Sequence, residues 1–349
     1  MNIIFNKIKE SYKKNTPFVG YRKPNSAVIS AFFMKDDTLN ITSDFSETGF
    51  VFAPFNREEN AILFPKKNAE FISEKGLFDE AFSLNDTCLN NSNSDKNEHL
   101  LLVEKALNEI NNSELSKVVV SRKEAIQLDD FEVLLTFKKI LKIYTNAFVY
   151  VWFHPKVGLW FGATPETLLN ISNRNFKTMS LAGTQVYDAS SKVVWKKKEL
   201  EEQQLVTDFI KKQLEHVATT LQIDEKETIR AGDLLHLRTK VKGVLSKDAS
   251  LKELIRGLHP TPAVCGLPRE KANKFINQNE NYKRTFYTGF LGELNLENKN
   301  SSLFVNLRCM RIEDKIASVY VGGGITKDST SKKEWQETMA KTKTMKKVL

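Results

Sequence analysis

Residues 147–172 read AFVYVWFHPKVGLWFGATPETLLNIS. Three short runs rich in aromatic and β-branched residues, 147–153, 158–164 and 167–172, are separated only by turn-type residues. Runs of this composition are strands, and connections this short suit hairpin neighbours running antiparallel. The same signature extends to both sides. Upstream lie an amphipathic helix over about 2–14, then strand-like runs at 27–34, 49–55 and 61–65. The stretch LNDTCLNNSNSDKNEH, 84–99, reads as an exposed loop. A helix near 97–111 precedes the strand 117–122, and another near 129–143 leads into the quoted segment. Downstream come strands at 176–183, 303–312 and 315–324, and helical periods over 191–222, 246–257, 268–279 and 331–346. Groups of neighbouring strands with helices between them predict an α/β chain of the α+β kind, antiparallel sheets covered by helices. No GxGxxG opens a helix after a strand, and VGGGIT, 321–326, lacks the Lys-Ser/Thr of a phosphate-binding loop.

The chain's 349 residues suit one large domain or two ordinary ones. Cys88, Cys265 and Cys309 are odd in number and widely spaced, with no CxxC, which points to a reducing cytoplasm. The N-terminus meets Lys7, Lys9 and Glu10 too early for a signal peptide, and the most apolar stretch, 146–153, is too short to span a bilayer. The net charge of +9 comes from dispersed lysines without an arginine-rich stripe, a solvated surface rather than a nucleic-acid groove.

Two stretches share a pattern. WKKKELEEQQLVTDFI, 195–210, sets Glu199 and Glu202 on one helix face, and SKKEWQETMAK, 331–341, does the same for Glu334, Glu337 and Lys341. Either alone reads as a solvated helix face. Found twice, the pairs suggest two helices facing across a cleft, with four carboxylates that repel unless a cation sits between them. Oxygen donors without His or Cys favour Mg²⁺ or Ca²⁺. SLAGT, 180–184, and VGGGIT each place glycine at a strand end, where backbone can approach an anion. Arg308 and Arg311 in NLRCMRI either face solvent or clamp a carboxylate. Lys117 opens an apolar strand, Glu166 sits in a tight turn, and His259 lies in a loop stiffened by Pro260, Pro262 and Pro268. Cys265 reads as a small buried residue rather than a nucleophile.

Taken in order, SKVVVSR, FGATPETLL, SLAGT, KELEEQQLV, LHPTPAVCGLPRE, NLRCMRI and VGGGIT followed by SKKEWQETMAK resemble the chorismate-utilising enzymes. That family comprises isochorismate and salicylate synthases and the chorismate-binding subunits of anthranilate and aminodeoxychorismate synthases. The resemblance covers residues 96–349, the catalytic core of a single chorismate-utilising domain 1–349, with 1–95 less typical. It implies two stacked, largely antiparallel sheets with helices outside. It also implies Mg²⁺ held by Glu202 and Glu337, with Glu199 and Glu334 as supporting carboxylates. Arg308 and Lys341 would hold the enolpyruvyl carboxylate, helped by amides around Gly322 and Gly324. Gly183 and Thr184 would lie near the ring, and His259 would belong to the substrate loop.

The resemblance further assigns Lys117 as base and Glu166 as acid for adding water at ring C2 and expelling the C4 hydroxyl. A lysine serves as base only if burial or a nearby cation lowers its pKa, and the glutamate must be held neutral. Amine-using relatives carry Gln at the Lys117 position, so water is the expected nucleophile. The expectation is therefore the isochorismate-forming branch: a cytoplasmic monomer with chorismate as partner and no glutaminase subunit, nucleic acid or membrane. Menaquinone synthesis is the expected fate, with catecholate siderophores or a salicylate synthase as alternatives. Gln203 stands where His is frequent in the family, which leaves the metal ligands intact but blurs the branch.

Overall fold

The computed structural model describes residues 3–76, 93–187, 193–231 and 234–349. Its strands form two sheets in which every described pairing is antiparallel. The first runs Gly266–Leu267, Lys117–Gln127, Ile316–Ile325, Cys309–Glu313, Gly158–Thr164, Phe148–His154, Phe18–Arg22, Val28–Met34, Ala69–Lys75. The second runs Ala218–Ile223, Leu234–Leu245, Asn175–Val186, Thr167–Ser172, Asn300–Val305, Phe290–Asn295, Gly49–Ala53, Ala61–Pro65, Asn40–Thr42, and Glu227–Ala231 also pairs with Leu234–Leu245.

The strand Phe148–His154 explains the layering. All seven residues are buried, yet alternate side chains go to different cores. Phe148, Tyr150 and Trp152 join Phe50, Phe52 and Phe304 of the second sheet in an aromatic core between the sheets. Phe148 stacks on Phe304 with centroids 4.2 Å apart. Val149, Val151 and Phe153 face outward onto the helices Ile3–Lys13 and Val133–Ile143. The second sheet is covered in the same way by Lys197–Leu214 and Leu251–Leu258 through Val206, Ile210, Leu214 and Leu258. A strand buried on both faces carries no polar alternation, which is why it reads as a continuous apolar run.

Several local expectations are corrected. Residues 148–154 and 158–164 do form a hairpin, with Trp152 opposite Trp160. Strand Thr167–Ser172, however, belongs to the other sheet, so Pro165 and Glu166 carry the chain from one layer to the next. The single strand expected at 303–312 is likewise two, Asn300–Val305 in the second sheet and Cys309–Glu313 in the first. At this crossing Arg308 takes a left-handed φ of 47°. The helical period 191–222 narrows to Lys197–Leu214, and Ala218–Ile223 is an edge strand. Strands at 18–22, 69–75, 227–231 and 234–245 were not anticipated. The expected loop 84–99 lies outside the described residues up to 92, and from Asn93 it is helix, running to Asn112. No helix among the described residues is long and apolar enough to cross a membrane.

Candidate active site

Both sheet crossings open into one cavity. Glu166 comes from the first and Arg308 from the second. Gly183 and Thr184 line it from a register shift in the strand Asn175–Val186, where Gly183 has φ +65°. Gly322 and Gly324 line it from Ile316–Ile325, Glu202 from the helix Lys197–Leu214, and Glu337 and Lys341 from the helix Ser331–Lys346. Lys117, fully buried, reaches the same place, its Nζ donating to Glu202 Oε1 at 2.9 Å. A Cβ on Gly324 would stand 2.6 Å from that same oxygen and 3.1 Å from Lys117 Cε, so only glycine leaves room for the pair.

Charge in the cleft is matched side chain by side chain. Besides Lys117 with Glu202, Lys198 meets Glu334 at 2.7 Å and Lys341 meets Glu337 at 2.6 Å. Burial alone would push the Glu202 carboxyl up, but the charge and hydrogen bond of Lys117, with Lys198 and Lys341 behind, hold it below the usual range. Burial, then the charge of Glu337, pushes Glu334 up despite Lys198, and its Oε2 has no partner. Glu166 differs. Burial raises it to about 8, and the opposing charges of Lys117 and Lys341 do not offset this. It therefore stays protonated at neutral pH and can donate a proton. Lys341 Nζ also donates to the Gly322 carbonyl at 3.0 Å.

Three expected residues stand differently. Glu199 spends its carboxylate on its own helix start, accepting from the Lys196 amide at 3.0 Å. Its Cβ lies beside Gly183, but its carboxylate does not line the cavity. His259 is outside the cavity. It lines a separate cavity with Pro54, Arg57 and Arg256, and its Nε2 sits 3.1 Å from the Pro54 carbonyl, so the imidazole anchors the loop. Ala263 and Val264 of the same loop face the cavity instead. Arg311 pairs with Glu313, leaving Arg308 as the arginine of that segment in the cavity. Cys265 is buried with its thiol pushed up to about 12, which suits packing and not nucleophilic attack.

Sequence reasoning missed His236, Tyr287 and Tyr320, which also line the cavity. His236 Nδ1 lies 3.1 Å from the Gly183 carbonyl and must carry the proton to donate there, leaving Nε2 toward Arg308 Nη2 at 3.5 Å. Burial, with Arg308 and Lys341 nearby, lowers His236 to about 3 and keeps it neutral. The signal is a strand partnership, since His236 is opposite Thr184 in the second sheet. Tyr320 stacks between Tyr287 and Trp160, continuing the cavity wall into the inter-sheet core.

Residues 58–349 match the family model described as chorismate binding enzyme. The chain belongs to this family. Among curated members of the chorismate-binding family it is 32% identical over 194 residues to isochorismate synthase DhbC of Bacillus subtilis, covering 53% of this chain and 48% of that protein. It is 28% identical over 252 residues to isochorismate synthase MenF of Escherichia coli, covering 70% and 58%. The matched regions thus span about half the length of these relatives. The fold is shared with a structure described as a putative 2,3-dihydroxybenzoate-specific isochorismate synthase, DhbC, from Bacillus anthracis, at TM-score 0.81 and 22% identity over 99% of both chains. It is shared equally, at TM-score 0.81 and 20% identity, with the menaquinone-specific MenF of Escherichia coli, over 95% of this chain and 88% of that one.

Proposed function

We propose that this chain is an isochorismate synthase, adding water at C2 of chorismate and releasing the C4 hydroxyl as water. One observation carries the reading: a buried carboxyl raised to about 8, Glu166, shares a cavity with an arginine and a lysine and stands in the field of the fully buried Lys117. Hydroxide leaves poorly, so the proton that Glu166 retains at neutral pH goes to the departing C4 oxygen. The attacking water gives its proton to Lys117, whose ammonium must first leave Glu202 and lose a proton to solvent so that the free amine can accept one. Arg308 and Lys341 offer the enolpyruvyl carboxylate charged donors. The neutral His236 fixes the Gly183 carbonyl beside the ring.

Mg²⁺ belongs to the proposal through the donor set. The Lys198 ammonium stands within electrostatic reach of Glu334, Glu202 and Glu337 together, so the cleft already holds one cation among three carboxylates. Among the described residues no three His, Cys, Asp or Glu side chains converge as a closed cage. An open set of one or two carboxylates completed by water and substrate is what Mg²⁺ accepts. Glu202 and Glu337 would hold it, and when bound it would neutralise the ring carboxylate of chorismate.

The remaining parts of the proposal are a cytoplasmic monomer, no glutaminase subunit, and a product that feeds menaquinone synthesis. The Lys-, Asn- and Ile-rich composition fits an AT-rich bacterial genome, for which menaquinone is the default expectation. Purified protein with chorismate and Mg²⁺ tests the activity. Isochorismate is the expected product, salicylate with pyruvate would reassign the branch, and no turnover would remove the enzyme reading. Restored menaquinone in a bacterium lacking isochorismate synthase tests the fate.

A further inference from the structure

The helix Ser331–Lys346 presents Glu337 and Lys341 to the cavity, and its other side is gripped by a buried charged clamp. The clamp comes from the strand that begins at Lys117. Arg122, 6% exposed, donates from Nε to Thr338 Oγ1 at 3.0 Å and from Nη1 to Glu124 Oε2 at 3.0 Å. Its Nη2 points to Met339 Sδ at 3.6 Å, and the guanidinium lies 4.5 Å from the Trp335 ring centroid. The other oxygen of Glu124 pairs with Lys346. Trp335 is backed by the His99 ring at 5.9 Å. Residues 335, 338, 339 and 346 are thus held from behind, while 337 and 341 face the cleft.

This grip fixes the rotation of the helix about its own axis. Side-chain tips lie roughly 5–6 Å from a helix axis, so a turn of about 20° would move the Glu337 carboxylate by about 2 Å. Apolar packing alone tolerates such a turn, whereas a planar guanidinium held by Glu124 and directed at Thr338 does not, and Lys346 on Glu124 ties the helix a second time. One strand therefore supplies both Lys117 and the gauge that sets its distance to Glu337 and Lys341.

We propose that Arg122 is a positioning residue that, through Thr338, Trp335 and Glu124, sets Glu337 and Lys341 against Lys117. The proposal rests on the chorismate reading for its kinetic effect but not for its structural one. The variants are Arg122→Met and Arg122→Lys, with Ile29→Ala as a control. Ile29 is buried on the strand Val28–Met34, toward the opposite end of the first sheet from the strand of Arg122. A displacement of an ångström or more from productive geometry costs about 100-fold in rate. The expectation for Arg122→Met, at a temperature where circular dichroism reports a folded protein, is a fall of about that size in kcat/KM for chorismate. Arg122→Lys recovers part of it, and Ile29→Ala lowers Tm while leaving kcat/KM within twofold. A crystal structure of Arg122→Met shows the helix turned, with Glu337 and Lys341 displaced. An unmoved helix overturns the proposal whatever the activity. Equal kinetic losses in Ile29→Ala and Arg122→Met also overturn it, since the effect is then one of stability. Wild-type protein that fails to consume chorismate sinks the functional reading, while a turned helix in Arg122→Met still supports the clamp.

Discussion

The protonation state of Glu166 decides the mechanism, and its size can be worked out. A carboxyl with the ordinary value of 4.5 is roughly 0.3% protonated at pH 7, and one at about 8 is roughly 90% protonated, a gain of about 300-fold in the acid form. The cause is removal from water, since both neighbouring lysines pull the other way. The decisive assay is ¹³C-carboxyl NMR of glutamate-labelled protein, with the Glu166 signal identified by its loss in Glu166→Gln. Its midpoint is expected near 8, and kcat in Glu166→Gln should fall at least about 100-fold, the usual worth of a positioned acid. Stability supplies a second reading of the same number. A folded pKa above the unfolded one stabilises the native state below pH 4.5, and this stabilisation is lost as pH rises toward 8. At about 1.4 kcal/mol per pH unit the loss is on the order of 5 kcal/mol, and Glu166→Gln should escape it. A Glu166 midpoint below about 6, or undiminished turnover in Glu166→Gln, would refute the acid assignment.

Three further outcomes follow from the cleft. Lys341→Met removes a charged donor to a carboxylate, about 2 kcal/mol, so the KM for chorismate should rise roughly 30-fold with a smaller change in kcat; an unchanged KM contradicts the role. Glu337→Gln should weaken Mg²⁺ binding, read by calorimetry, by at least about tenfold while leaving the circular dichroism spectrum intact; equal affinity removes Glu337 from the ligand set. Gly324→Ala drives a methyl to 2.6 Å from Glu202 Oε1, so the Lys117–Glu202 pair must shift, at about 1–3 kcal/mol of stability. Turnover near the wild-type level in Gly324→Ala would mean that the pair needs no fixed geometry.

The sequence was most legible where one element does one job. The ExxE pairs at 199–202 and 334–337 lie on helices as their period requires, and the apolar runs at 148–154 and 158–164 pair as a hairpin. It was least legible where an element's meaning depends on a distant partner. LFVNLRCMRI has the composition of one strand, but its halves pair with Thr167–Ser172 and Gly158–Thr164 in different sheets. Nothing in the local pattern marks Asn306–Arg308 as the crossing. His236 was invisible for the same reason, because its role comes from lying opposite Thr184 across a register shift. His259 misled in the opposite sense. A conspicuous proline-rich setting drew attention to the side chain, but the loop turns its backbone neighbours Ala263 and Val264 to the cavity and the imidazole to Pro54.

The crossings themselves explain why a protonated carboxyl and an arginine meet in one cavity. A residue within a strand can face only one side of its sheet, whereas one at a passage between stacked sheets points along the gap that the two layers enclose. Glu166 and Arg308 both occupy such passages, next to one another because Thr167–Ser172 pairs with Asn300–Val305 and Gly158–Thr164 with Cys309–Glu313. Burial in the gap raises Glu166, and Arg308 lines the same cavity from the neighbouring passage. The helices Lys197–Leu214 and Ser331–Lys346 bring Glu202, Glu337 and Lys341 to the same cavity, where Glu202 pairs with Lys117 of a strand and Glu337 with Lys341. Glu166 is held neutral by its burial in the layer gap, whereas Glu202 stays below the usual carboxylate range because Lys117 pairs with it.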